Sequence, residues 1–104
     1  MEQAVLVHLQ LTDDPFGSRR ERAAIFDLAD MLRDAIDGRG VGEFDGEAWG
    51  GGFCVLYMYG PDADRLFDVV APILMEALLA RGGFAIKRYG GAEDLSAAEA
   101  RVNL

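Results

Sequence analysis

Between Glu43 and Gly60 two strand-like runs are separated by little more than a glycine cluster, and a segment of helical period flanks the pair on each side. This arrangement constrains the chain more than any other feature. A connection that short joins antiparallel neighbours, whereas strands with a helix between them are linked by a crossover. Ahead of the first helical segment, Val5, Val7, Leu9 and Leu11 alternate with Leu6, His8 and Gln10. That pattern is a strand with one strongly apolar face and one mixed face. After the second helical segment, FAIKRY (84–89) reads as a further strand. The order is therefore strand, helix, strand, strand, helix, strand.

The helices carry their own boundary signals. TDDPFG (12–17) is a loop punctuated by Pro15 and Gly17, and Ser18 with Glu21 has capping-box spacing. Ile25, Leu28, Leu32, Ala35 and Ile36 recur at helical spacing as the buried stripe. Gly38, in DGRGVG, is expected to end that helix in the left-handed conformation. Pro61 stops strand pairing and Asp62 caps the second helix. That helix is expected to run to about Arg81 with a kink at Pro72, and Gly82–Gly83 end it.

Loop length sets which side chains meet across the hairpin. A two-residue loop at Gly50–Gly51 places Asp45 opposite Leu56. A three-residue loop, Gly50 to Gly52, places Asp45 opposite Tyr57 and Phe44 opposite Met58, which separates polar from apolar and is the expected register. The tail, 90–104, has alanine and glutamate suited to a helix. Yet Ala98, Ala100, Val102 and Leu104 alternate with Glu99, Arg101 and Asn103, so we read a loop and an extra C-terminal strand. Residues 1–104 form one domain, with 90–104 as a C-terminal extension.

The order of elements resembles the ferredoxin-like α/β plait, an α+β βαββαβ fold. The resemblance covers most of the chain and rests on pattern, not on a motif. It implies an antiparallel sheet in the order 4-1-3-2 with two helices on one face, and it does not specify a function.

Half of the residues are apolar, as in a globular domain. A single cysteine, Cys54, excludes an intrachain disulfide and reads as a small buried hydrophobe; with one histidine it makes no zinc site of the usual kind. The start Met-Glu-Gln lacks a basic region before an apolar stretch, and no apolar run reaches membrane-spanning length, so a cytoplasmic protein is expected. The net charge of −8 disfavours nucleic acid and anionic membrane and favours a basic protein partner, a cation or simple solubility.

Four candidate sites follow. Seven of the thirteen glycines lie between Gly38 and Gly52, but the stretch has no dinucleotide or phosphate-loop pattern, and turn chemistry explains it. Glu43, Asp45 and Glu47 share one strand face, spaced by roughly 7 Å, too far for one divalent ion to use all three. Asp13 and Asp14 near Glu47 would offer oxygens for calcium or magnesium; a charged edge strand is the simpler reading, and no metal or cofactor is assigned. The helix-free sheet face is expected to carry Trp49, Phe53, Val55, Tyr57 and Tyr59 with Leu6, His8, Gln10 and either Lys87 or Arg88. So aromatic a face is a dimer interface, a surface covered by the tail, or a pocket whose polar points are His8, Tyr57, Tyr59 and a carboxylate. Finally, GSRRER (17–22) offers an anion a helix start with Arg19, Arg20 and Arg22, opposed by Asp13 and Asp14.

We expect a protein that works by binding, with no catalytic residue assigned. It self-associates as a homodimer through the aromatic face, and a partner or small molecule meets His8, Trp49, Tyr57, Tyr59, Glu43, Asp45 and Glu47. One alternative is an acidic inhibitor or immunity-type protein that neutralises a basic partner. Another follows from a resemblance to cofactor-free dimeric α+β barrel oxygenases, which use the same sheet face. It implies His8 as acid/base and Tyr57 or Tyr59 as substrate-orienting residues.

Overall fold

The computed structural model describes residues 2–91 and 93–104; Met1 and Ala92 lie outside the described residues. The elements are β1 (Gln3–Gln10), α1 (Arg19–Arg39), β2 (Glu43–Gly50), β3 (Phe53–Gly60), α2 (Ala63–Glu76), a 3-10 turn (Leu78–Ala80), β4 (Phe84–Arg88) and β5 (Glu99–Asn103).

The Ser18 hydroxyl accepts the Glu21 N–H at 3.2 Å and so caps α1. The return half of the expected capping box points elsewhere. The Glu21 carboxylate accepts the Thr12 N–H at 2.8 Å, the Thr12 hydroxyl and the Asp13 N–H, which ties the preceding loop to the helix. These bonds, the Thr12 N–H foremost, hold its carboxyl below the ordinary value. Asp62 caps α2 by accepting the N–H groups of Asp64 and Arg65.

Both helices end differently from expectation. Gly38 lies inside α1, and the left-handed cap is Gly40, at φ 63° and ψ 33°. The next residue, Val41, is a core residue whose N–H reaches the Ile36 carbonyl, so the chain must turn at Gly40. A Cβ on either glycine meets open space. Gly38→Ala is therefore expected to raise stability by ~0.5–1 kcal/mol, since it removes only backbone freedom in a helix. Gly40→Ala is expected to lower it, and paired urea titrations check the opposite signs. In α2, Ala63, Leu66, Phe67, Val70 and Leu74 form the buried stripe, and the helix stops at Glu76 instead of about Arg81. Ala77 adopts extended backbone, and the turn after it places Ala80 in the core.

The five strands form one sheet in the order β2-β3-β1-β4-β5, with every neighbouring pair antiparallel. The extra strand read from the tail's alternation is β5, paired to β4 from Phe84↔Asn103 to Arg88↔Glu99. With it the sheet has five strands among the described residues, so its order differs from the four-stranded 4-1-3-2 order expected of a plait. Both helices pack on one face: α1 lies along β2, α2 lies over β1, β3 and β4, and the two touch each other. The core is a single cluster between layers. Val5, Val7 and Leu9 of β1 and Cys54, Leu56 and Met58 of β3 meet Leu32, Ile36, Leu66, Val70 and Leu74 of the helices. The Cys54 thiol is buried, and desolvation pushes its pKa up to about 12. Among the described residues no helix is long and apolar enough to cross a membrane.

Candidate functional site: the helix-free sheet face

In an antiparallel sheet, directly paired residues share a face. The pairings therefore define the helix-free side row by row. Tyr59 stands between Glu43 and Ala4, and Ala4 faces Arg88; Tyr57 stands between Gly46 and Leu6, and Leu6 faces Ile86. Val55 stands between Ala48 and His8, and His8 faces Phe84. β5 adds Glu99, Arg101 and Asn103 along the margin. The large side chains of this face are half-buried in the single chain, and the helices lie on its other side.

Two of the expected placements are corrected. Trp49 is on the opposite, helix-bearing face, paired with Cys54. Its ring meets Phe26 edge-on at 5.9 Å, and the Arg22 guanidinium lies 4.8 Å above it. Nor do the three acids share a side: Glu43 is on the open face, Glu47 pairs with Leu56 on the helix face, and Asp45 is the extra residue of a β-bulge between Phe44 and Gly46. Gly50 pairs with Phe53, so the hairpin loop is Gly51–Gly52 and not the expected three-residue Gly50–Gly52, with both φ positive as a type I′ turn requires. This loop alone would put Phe44 and Trp49, five residues apart, on opposite faces. The bulge adds one residue and brings both rings to α1, where Phe44 lies under Arg33 at 4.9 Å. The expected Phe44–Met58 pairing is present for that reason, while Gly46 takes the expected place of Asp45 opposite Tyr57.

His8, Tyr57 and Tyr59 lie on the open face as expected, and Arg88 joins it from β4. Lys87 faces the helices and donates to Asp64 at 3.0 Å, beside the Tyr89 hydroxyl that donates to the same carboxylate oxygen. The sequence reading missed Phe84, Ile86 and Arg101. The His8 and Phe84 rings stack at 4.4 Å and 12°, the Arg101 guanidinium lies 3.8 Å above Phe84, and Phe53 meets Phe84 edge-on. Burial and then the nearby Arg101 charge both lower the His8 pKa, which favours the neutral imidazole. At the opposite corner, burial followed by the charge of Asp45 raises the Tyr59 pKa. The signal that could have found Arg101 was the alternation of 98–104, since pairing that strand beside 84–88 sends Arg101 to one face or the other as a unit with its neighbours.

Several residues of the remaining candidates are held by local hydrogen bonds. Asp13 accepts the Ser18 hydroxyl at 2.7 Å, and Asp14 accepts the Phe16 N–H at 2.9 Å. Among the described residues no three His, Cys, Asp or Glu side chains gather as a metal-binding group. At the start of α1, Arg22 donates to the carbonyls of Phe16 and Gly17, so it closes the loop instead of facing an anion.

Comparison with known proteins found no matching family model, no matching curated protein and no matching solved structure.

Proposed function

We propose that the protein works by binding and that the helix-free sheet face is the surface by which two copies associate. The observation that carries this reading is the run of Leu6, Val55, Tyr57, Phe84 and Ile86 across β3, β1 and β4, on the side of the sheet away from both helices. Interfaces concentrate aromatic residues and exclude charge from their centre, and this face does both. Its charge balance favours a second copy in particular. Glu43 and Glu99 are matched by Arg88 and Arg101, so little of the −8 lies here, and repulsion between copies is lowest across this face. The acidic corner at Tyr59 and the Arg101 corner lie at opposite ends, so a two-fold arrangement can set each against the other.

We further infer a ferredoxin-like plait with a fifth strand added. The support is the βαββαβ order of the first six elements and the succession β4-β1-β3-β2 within the larger sheet.

Light scattering after size exclusion tests the association. The wild-type chain is expected at twice 11.3 kDa, and Val55→Lys, which puts a charge at the centre of the face, at 11.3 kDa. Met31→Lys, on the exposed side of α1, is expected to leave the mass unchanged. A wild-type monomer at every concentration would overturn the reading.

A second reading, neutralisation of a basic partner, is favoured by a separate observation. Phe26, 46% exposed, meets Trp49 edge-on and Phe16, 58% exposed, lies near Gly50, so two open rings flank the hairpin tip of a chain with net charge −8. Such a complex weakens steeply with salt, whereas association through the apolar face does not.

A further inference from the structure

At one end of the open face β1 carries Ala4, where its next two positions on that face carry Leu6 and His8. Ala4 stands between Tyr59 on β3 and Arg88 on β4, and a lone methyl there leaves a hollow. The hollow has a volume of about 220 Å³ and is lined by Glu2, Ala4, Leu6, Tyr57, Tyr59 and Arg88, with Gln3 and the Gly90–Gly91 stretch completing it. Arg88 would suit it to anions, but that guanidinium is already engaged. It donates to Glu99 at 3.1 Å, to the Gly91 carbonyl at 3.3 Å and to the Asp94 carbonyl. The Gln3 amide oxygen is likewise taken, by the Ala63 N–H at 2.8 Å. What remains around Tyr59 is acidic: Glu43 is its direct partner on β2, Glu2 lines the hollow, and Glu2 and Glu43 both line the adjoining cleft.

We propose that this hollow binds an organic ammonium ion, a compact cation with an apolar body, held against the rings of Tyr57 and Tyr59 with its charge toward Glu2 and Glu43. An aromatic ring attracts a cation through its quadrupole, and most strongly where water is excluded. The apolar lining favours a carbon-rich body over a hydrated metal ion, and the net charge of −8 raises the local cation concentration. An anion of the same shape would meet carboxylates and a guanidinium that is already paired. The hollow lies on the face proposed to pair two copies, so an ammonium ion and self-association compete for it, and the titration is made on the monomeric Val55→Lys variant beside the wild type.

The test is an NMR titration of the intact protein with benzyltrimethylammonium chloride, set against sodium benzoate as an anion of similar body. The ammonium ion is expected to shift the resonances of Ala4, Leu6, Tyr57 and Tyr59, and benzoate is not. Ala4→Val, which fills the hollow, and Tyr59→Ala are each expected to weaken binding about tenfold, the scale of a well-desolvated cation–π contact. Tyr59→Phe is expected to keep the affinity, because it keeps the ring. If Ala4→Val does not fold, the two Tyr59 variants decide. Equal binding of benzoate, no binding of the ammonium ion, or an unchanged affinity in Tyr59→Ala would overturn the proposal. Light scattering on the same samples separates this outcome from that of the dimer.

Discussion

Gly60→Ala is expected to lower the unfolding free energy by about 3 kcal/mol or more, one of the largest effects a single methyl can have in this chain. Gly60 closes β3 where the connection from α1 to β2 crosses beneath it. An added Cβ would lie 2.2 Å from the Val41 carbonyl oxygen and 3.3 Å from the Gly42 Cα. Gly42 has the reciprocal constraint: its Cβ would lie 2.0 Å from the Tyr59 carbonyl oxygen, and its φ is +154°. Neither clash is with a side chain that can rotate away, so relief requires the two backbones to part and the ends of β2 and β3 to open. A domain of this kind has only ~5–15 kcal/mol in total, so the loss is a large share of it. Urea unfolding of Gly60→Ala, Gly42→Ala and the double variant measures the effect. The double variant is expected to lose far less than the sum of the singles, because both relieve one crossing. A midpoint equal to wild type would show that the crossing yields without cost.

Leu56→Ala is expected to cost ~2–5 kcal/mol, the range for a leucine truncated in a packed core. Leu56 is fully buried on β3, paired with Val7 on one side and Glu47 on the other, and faces both helices. Its neighbour on the same face, Cys54, supplies the readout. The thiol is 0% exposed and its pKa is pushed up to about 12 by desolvation, so a thiol reagent reaches a reactive sulfur only when the core opens. Where reclosing outpaces labelling, the rate follows the open population, about tenfold for each 1.4 kcal/mol. Labelling of Leu56→Ala is then expected to be about 30-fold faster or more. A lowered urea midpoint with an unchanged labelling rate would mean that Cys54 is reached by a local fluctuation of β3, not by loss of the core.

The elements themselves were legible. Alternation at Val5, Val7 and Leu9, helical spacing from Ile25 to Ile36, and alternation again from Ala98 to Leu104 each report one face of one element meeting an apolar layer. Ser18 and Asp62 were legible as caps because a cap is made within four residues of chain. The boundaries were less so. Gly38 and Gly40 are both chemically fit to end α1, and the choice fell to Gly40 because Val41, the next residue, has to enter the core.

The candidate face was legible in part. His8, Tyr57 and Tyr59 follow from simple alternation on two strands that run without interruption, and the structure keeps them on one face, with His8 and Tyr59 at opposite ends. Trp49 and the acids do not follow, because β2 is interrupted. A bulge at Asp45 reverses every later side chain, and no local pattern marks it. Its cause is distant in sequence: two aromatic rings, Phe44 and Trp49, both gain by packing on α1, under Arg33 and beside Phe26. The stack of Arg101, Phe84 and His8 likewise joins three strands whose lateral order is not written in any one of them.

By itself, then, the sequence determined which segments are helices and strands, where two helices begin, and that one sheet face would be aromatic. Those features depend on periodicity and on bonds within a few residues. The tertiary structure alone decided which residues of β2, β4 and β5 join that face, because facing is set by register. Register is a property of pairs of strands and of the layer packed against them, so it is settled only when Phe44, Trp49 and α1 meet.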